Sequence, residues 1–228
     1  MKLSIIIPVY NEEKDIIKVI TDVLKAPVPF KKEIIIIDDG SSDKTRELLA
    51  SYRQRQNFVI IFQPKNMGKG MAVREGLKKV TGDLVIIQDA DREYSVTDYP
   101  KILKPLVENR ADIVYGSRFL GSITGMRWQN YLANKILTIS VRILYGINIT
   151  DEATAYKAFK TKVLKSIPLK CERFEFCPEV TAKAAKRKFK ISEVPIAYHG
   201  RNAKGGKKIK FTDGFVAFWT LLKYRFKD

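Results

Sequence analysis

At 228 residues the chain has room for one domain with a well-buried core and too little for a second. Its composition, 45% hydrophobic and 29% charged, excludes a disordered chain, and no apolar stretch nears the ~18 residues of a membrane-spanning helix. The net charge of +17 is lopsided: residues 1–117 carry 19 Lys/Arg against 17 Asp/Glu and residues 118–228 carry 23 against 8, so the second half is suited to an anionic partner.

Met1-Lys2 leads into a short apolar run that ends at Pro8, which does not read as an export signal, so a cytoplasmic chain is expected. Cys171 and Cys177 match no zinc or redox spacing and are expected to be reduced.

Strands are predicted over Leu3–Pro8, Glu33–Asp38, Phe58–Gln63, Asp83–Gln88 and Ile113–Gly116, several of them apolar on both faces. Helices are predicted between them over Glu12–Leu24, Asp43–Gln54, Gly68–Val80 and Val96–Glu108, with Ser42 and Asp43 as N-cap residues. This alternation specifies an α/β fold, a doubly wound and mostly parallel sheet with helices on both faces and ligands at the carboxyl ends of the strands. The second half is less regular. Asn130–Tyr145 reads as a buried or interfacial helix, Ile191–Ile196 as a strand, Gly205-Gly206 as a basic loop and Asp213–Phe226 as an aromatic-rich helix.

Two acidic clusters fall at predicted strand ends, where carboxylates are costly unless something neutralises them. Asp89-Ala90-Asp91 follows Leu84–Ile87, and its spacing lets two carboxylates converge on one Mg²⁺ or Mn²⁺, with Glu93 as a third oxygen. Asp38-Asp39 ends a neighbouring strand and favours this reading over a simple helix cap. Neither GxxxxGK[ST] nor a GxGxxG after the first strand is present, which argues against a P-loop ATPase or a dinucleotide dehydrogenase. Gly68-Lys69-Gly70 reads equally as a glycine-assisted helix start or as a segment near a nucleotide.

The ordered series Ile6-Ile7-Pro8-Val9-Tyr10-Asn11-Glu12, Ile37–Asp43, Asn66–Gly70, Asp89-Ala90-Asp91, Gly116–Phe119 and Asp151–Thr154 resembles the family 2 glycosyltransferases of GT-A fold. The likeness is nearest to the polyprenyl-phosphate and dolichol-phosphate mannosyl- and glucosyltransferases. It implies a single catalytic domain whose first half, 1–117, binds a nucleotide-sugar donor such as GDP-mannose or UDP-glucose. It also implies that Pro8, Tyr10, Glu12, Asp39 and Ala90 line the nucleotide pocket, and that Asp89 and Asp91 hold the metal and diphosphate. Arg118, Arg127, Arg201, Lys207 and Lys208 would then face phosphate groups. Family members often carry Gln at the position of Glu93 and Gly at that of Ala155.

Sugar transfer needs a stabilised leaving group, and attack from the opposite side inverts the anomeric centre. A hydroxyl acceptor would require a base, for which Asp151 and Glu152 are the candidates, although Asp151 also reads as a helix cap after Thr150. A polyprenyl or dolichyl phosphate is already anionic, and the basic second half suits it. Lys183–Lys210 carries ten Lys/Arg and one acid, and Phe211, Phe215, Phe218, Trp219, Leu222 and Phe226 follow at near-helical spacing. Together these predict a peripheral contact with an anionic membrane at its cytoplasmic face, or a membrane-anchoring partner subunit. No helix-turn-helix, zinc or RNP pattern supports nucleic-acid binding.

Overall fold

Residues Leu3–Val9 are all buried and alternate between two cores, Leu3, Ile5, Ile7 and Val9 facing one and Ile6 the other. Ile34 and Ile36 join the first core, Ile35 and Ile37 the second. Period-two alternation with both faces apolar leaves such strands only one place, the middle of a sheet covered on both sides.

The computed structural model describes residues 1–200 and 211–227. Strands β1 (Lys2–Val9), β2 (Lys31–Asp38), β3 (Phe58–Phe62), β4 (Leu84–Ile87), β5 (Ile113–Thr124), β6 (Lys157–Lys160) and β7 (Ile191–His199) form a seven-stranded sheet in the order β3-β2-β1-β4-β6-β5-β7. Pairing is parallel throughout except at β6, which runs antiparallel to both β4 and β5. The helices are α1 (Ile16–Lys25), α2 (Thr45–Ala50), α3 (Lys69–Leu77), α4 (Tyr99–Val107), α5 (Trp128–Tyr145), α6 (Thr161–Ser166), α7 (Phe176–Lys186) and α8 (Phe211–Phe226). Helices α1, α2 and α4 pack on one face of the sheet, and α3 and α5 to α8 on the other. The doubly wound, mostly parallel architecture is the one the sequence pattern specifies.

Several boundaries move for local reasons. The helix expected from Glu12 begins at Ile16, because the Glu12 carbonyl accepts from the amides of Asp15 and Ile16 and so forms the preceding turn. The helix expected over Asp43–Gln54 contracts to six residues, with the Asp43 carboxylate receiving the Thr45 amide at 2.9 Å. β5 runs past Gly116 to Thr124, with a register shift against β7 between Ser117 and Ser122.

Helix α5 buries Leu137, Thr138 and Val141 and turns Trp128, Leu132, Ile136, Ile139 and Ile143 outward. It packs beside α8, where the Tyr145 hydroxyl donates to the Leu221 carbonyl at 2.6 Å. Helix α8 buries Ala217, Thr220, Leu221 and Tyr224 and exposes Phe215, Phe218, Trp219 and Phe226. No helix among the described residues is long and apolar enough to cross a membrane.

Candidate active site

The tips of β1 and β2 are locked together by a left-handed residue. Asn11, at φ 50°, brings its amide to the Ser41 hydroxyl at 2.9 Å and its side-chain oxygen to the Ser42 amide at 2.8 Å. Asparagine tolerates this conformation because its short polar side chain bonds locally. The chain segment Pro8-Val9-Tyr10 is thereby fixed as one wall of a cleft of about 970 Å³ at the carboxyl edge of the sheet.

The adjacent carboxylates of β2 divide their tasks. Asp38 is fully buried and pairs with the Arg46 guanidinium at 2.6 Å, away from the cleft. Asp39 lines the cleft and accepts the amides of Met67 and Gly68 at 2.7 and 2.8 Å. Burial raises its pKa, against the opposing pull of those two amides. Gly68 has φ 97°, and a Cβ there would meet the Glu172 carbonyl oxygen at 2.4 Å. Asp39 therefore holds in place a glycine turn that only glycine can make.

Asp89, Ala90, Asp91 and Glu93 follow β4 and line the same cleft. The Lys69 ammonium rests on Asp89 Oδ1, with both side chains only 19% exposed. Asp91 Oδ1 receives the Glu93 amide at 3.1 Å, and Glu93 Oε2 receives the Tyr198 hydroxyl at 2.8 Å. Among the described residues no three His, Cys, Asp or Glu side chains gather as a metal-holding group. Glu93 thus has one oxygen turned to Tyr198 while its side chain lines the cleft.

Arg118, at the end of the buried part of β5, places Nε and a terminal nitrogen each 2.7 Å from the two oxygens of Asp151. Burial works against the Arg118 charge, but Tyr94 and Asp151 outweigh it and hold its pKa above the ordinary value. The amides of Thr150 and Asp151 in turn donate to Glu193 at 2.6 and 2.9 Å. Glu152 is fully buried and its Oε2 has no hydrogen-bond partner among the described residues; burial raises its pKa.

Of the residues singled out from sequence, Pro8, Tyr10, Glu12, Asp39, Asp89, Ala90, Asp91, Glu93, Arg118 and Arg127 share this one cleft. Asp151 does not line it. With 0% exposure and both oxygens committed to Arg118, Asp151 is the counter-ion that orients that arginine rather than a base reaching an acceptor. Arg201, Lys207 and Lys208 lie outside the described residues.

The family model for Glycosyl transferase family 2 matches residues 4–167, which takes in every strand end that builds the cleft up to β6. The chain belongs to glycosyl transferase family 2. It is 31% identical to a dolichyl-phosphate beta-glucosyltransferase of Trichomonas vaginalis, covering 92% of this chain and 68% of that one. A dolichol-phosphate mannosyltransferase of Pyrococcus furiosus is 28% identical, covering 92% of this chain and 60% of its own length. The fold matches the glucosyl-3-phosphoglycerate synthase of Mycobacterium tuberculosis, solved with Mg²⁺ and uridine diphosphate, at a TM-score of 0.74 and 19% identity over 100% of this chain and 80% of that one.

In this glycosyltransferase Lys69, Glu152, Arg173 and Cys177 are among the cleft residues that the sequence motifs do not signal or leave undecided. Arg173 comes from the segment leading into α7 and Cys177 from the first turn of α7, a stretch that the sequence pattern leaves as irregular chain. The segment before α7 docks on the start of α3, where the Gly70 amide donates to the Arg173 carbonyl and the Met71 amide to that of Glu172, each at 2.8 Å. No local sequence signal announces a contact between residues a hundred positions apart. Lys69, between two glycines, and Asp89, in the Asp89-Ala90-Asp91 cluster, both stand out in the sequence, but their pairing does not.

Proposed function

We propose that the chain is an inverting hexosyltransferase that moves glucose or mannose from a nucleotide-sugar donor, UDP-glucose or GDP-mannose, to a polyprenyl or dolichyl phosphate at a membrane surface. The observation that carries this reading is where the cleft opens. Ile136 of α5 and Phe215 and Phe218 of α8 line the cleft and are also exposed, at 51%, 66% and 41%. The cleft holding the carboxylates therefore emerges between two helices whose outer faces are apolar. A polar acceptor would have no use for such a mouth, whereas an isoprenoid chain gains by lying along it.

The outward stripe Trp128, Leu132, Ile136, Ile139 and Ile143 recurs at helical spacing. Helix α5 contains no acidic residue but carries Lys135 and Arg142, and α8 contains one acid, Asp213, against Lys223 and Arg225. Apolar and aromatic residues flanked by bases suit the interface of an anionic bilayer, met from the cytoplasmic side. The names of the Trichomonas and Pyrococcus relatives support a lipid-phosphate acceptor.

The Asp89 and Asp91 carboxylates fit a Mg²⁺ or Mn²⁺ ion. They are hard oxygen donors at a strand end, and a cation, the Lys69 ammonium, already sits against Asp89. Such an ion, when bound, supplies charge neutralisation to the departing nucleoside diphosphate. Asp39, fixed by the Met67 and Gly68 amides, orients the nucleoside. Arg118, immobilised by Asp151, presents its remaining N–H groups to phosphate in a planar fork. The acceptor phosphate arrives ionised, so its oxygen attacks without losing a proton, which suits a site where Asp151 is committed to Arg118.

The test incubates the protein with UDP-glucose or GDP-mannose, Mg²⁺ or Mn²⁺ and a short polyprenyl phosphate, with soluble glycans in parallel, and reads products by mass spectrometry. A glycosylated lipid phosphate formed by the wild type, and absent with Asp91→Asn, is expected. Transfer to glycan hydroxyls alone would replace the lipid reading. Flotation with phosphatidylserine vesicles is expected to weaken when Leu132 and Ile139 are both changed to Ser; unchanged flotation would remove the membrane surface from the proposal.

A further inference from the structure

Lys69 occupies an awkward position for a lysine. It is the first residue of α3, where the positive end of the helix dipole disfavours a cation. It is flanked by Gly68, at φ 97°, and by Gly70, where a Cβ would stand 2.9 Å from the Arg173 carbonyl oxygen. The backbone on both sides is pinned: the Gly68 amide to Asp39, the Gly70 amide to the Arg173 carbonyl. The four-carbon side chain is left as the moving part, and its ammonium sits on Asp89 Oδ1 inside the cleft.

A divalent ion held by Asp89 and Asp91 would claim that same oxygen and repel the ammonium beside it. Lys69 must then leave Asp89, and its reach from a fixed backbone keeps it in the cleft, where the anionic group to receive it is the donor diphosphate. We propose that Lys69 is an exchangeable counter-ion: it occupies Asp89 while the metal is away and transfers to the donor diphosphate when the metal enters. This inference rests on the reading of Asp89 and Asp91 as the metal pair.

The exchange makes the two ligands interdependent. Metal alone must displace Lys69 with no diphosphate to accept it, so it binds more weakly. The diphosphate gives Lys69 a new partner and so favours the metal, and by linkage the metal favours the diphosphate by the same factor. A lysine serving only as a permanent structural counter-ion creates no such dependence.

Mn²⁺ binding, measured by electron paramagnetic resonance with and without a nucleoside diphosphate (UDP and GDP in separate arms), tests this in the wild type, Lys69→Met and Lys69→Arg. In the wild type the diphosphate should tighten Mn²⁺ binding by at least about fivefold, the lower end of ordinary coupling. In Lys69→Met, Mn²⁺ alone should bind more tightly than in the wild type, and the tightening by diphosphate should shrink. Lys69→Arg keeps the charge and should keep most of the coupling, which separates loss of exchange from damage to the fold. Equal Mn²⁺ affinity and equal coupling in wild type and Lys69→Met would overturn the exchange while leaving the metal pair intact. Absence of Mn²⁺ binding in every protein, with either diphosphate present, would overturn the metal pair and the exchange together.

Discussion

Arg118 and Asp151 face each other edge to edge, two nitrogens against two oxygens at 2.7 Å, with side chains 7% and 0% exposed. Thirty-three positions separate them in sequence, yet the pair joins the end of buried β5 to the loop that enters β6. Its geometry holds the arginine in one orientation at the wall of the cleft.

Removing one member of such a pair strands a buried charge. Asp151→Ala is expected to destabilise the fold by about 3–5 kcal/mol, the usual cost of breaking a buried ion pair. Urea denaturation measures it. The double variant Asp151→Ala/Arg118→Met should recover part of that loss, because the orphaned charge goes too. A loss under about 1 kcal/mol for Asp151→Ala, the value of exposed pairs, would show that the site is wetter than its burial indicates.

Glu33 gives a pH signature distant from the cleft. Burial alone would raise its pKa, but hydrogen bonds from Lys2, Ser4 and Thr81 prevail and bring it from the ordinary 4.5 down to about 2. A depressed carboxyl pKa contributes stability that is fully present above 4.5 and is lost as pH falls toward about 2. The stability gap between wild type and Glu33→Gln should therefore be of order 2 kcal/mol at neutral pH and should close across that window. A gap independent of pH would place the effect in packing instead of charge.

Two glycines of the helical layer should respond oppositely. Gly70→Ala would drive a Cβ to within 3.0 Å of backbone atoms of Cys171, Glu172 and Arg173, so the loop carrying Arg173 has to move. Lower stability and weaker nucleoside-diphosphate binding are expected, read by calorimetry. Gly214 lies in α8 with nothing among the described residues within 4 Å of an added Cβ. Gly214→Ala should be neutral or stabilise by up to about 1 kcal/mol, the helix propensity difference. The same sign for both substitutions would contradict the contact geometry.

The first half of the fold was legible because each strand is a short apolar run and each helix a periodic one. Asp39, Asp89 and Asp91 could be placed at strand ends without coordinates for the same reason. β6 escaped because Lys157-Ala158-Phe159-Lys160 is four residues long and bounded by lysines, too short to show a period. Lys157 is nonetheless fully buried, its ammonium on the Glu152 carbonyl at 2.7 Å and 3.5 Å from the Tyr115 ring centroid. Helix α7 was obscured by Pro178 in its first turn and by the buried charges Glu179 and Lys183, which read as surface until they are seen to pair with each other. Asp151 looks like a base by residue type alone, but its task depends on Arg118, a neighbour that only the sheet brings near.

One strand travelling against the traffic has an effect beyond its length. Because β6 enters the sheet from the edge where β1, β2, β4 and β5 finish, the chain touches the cleft before β6 begins, and Asp151 arrives beside Arg118 on the way in. Had those four residues run with their neighbours, the approach would have come from the far rim, about 13 Å lower at the usual rise per residue. The arginine would then have stood at the cleft wall with no carboxylate behind it to hold it still.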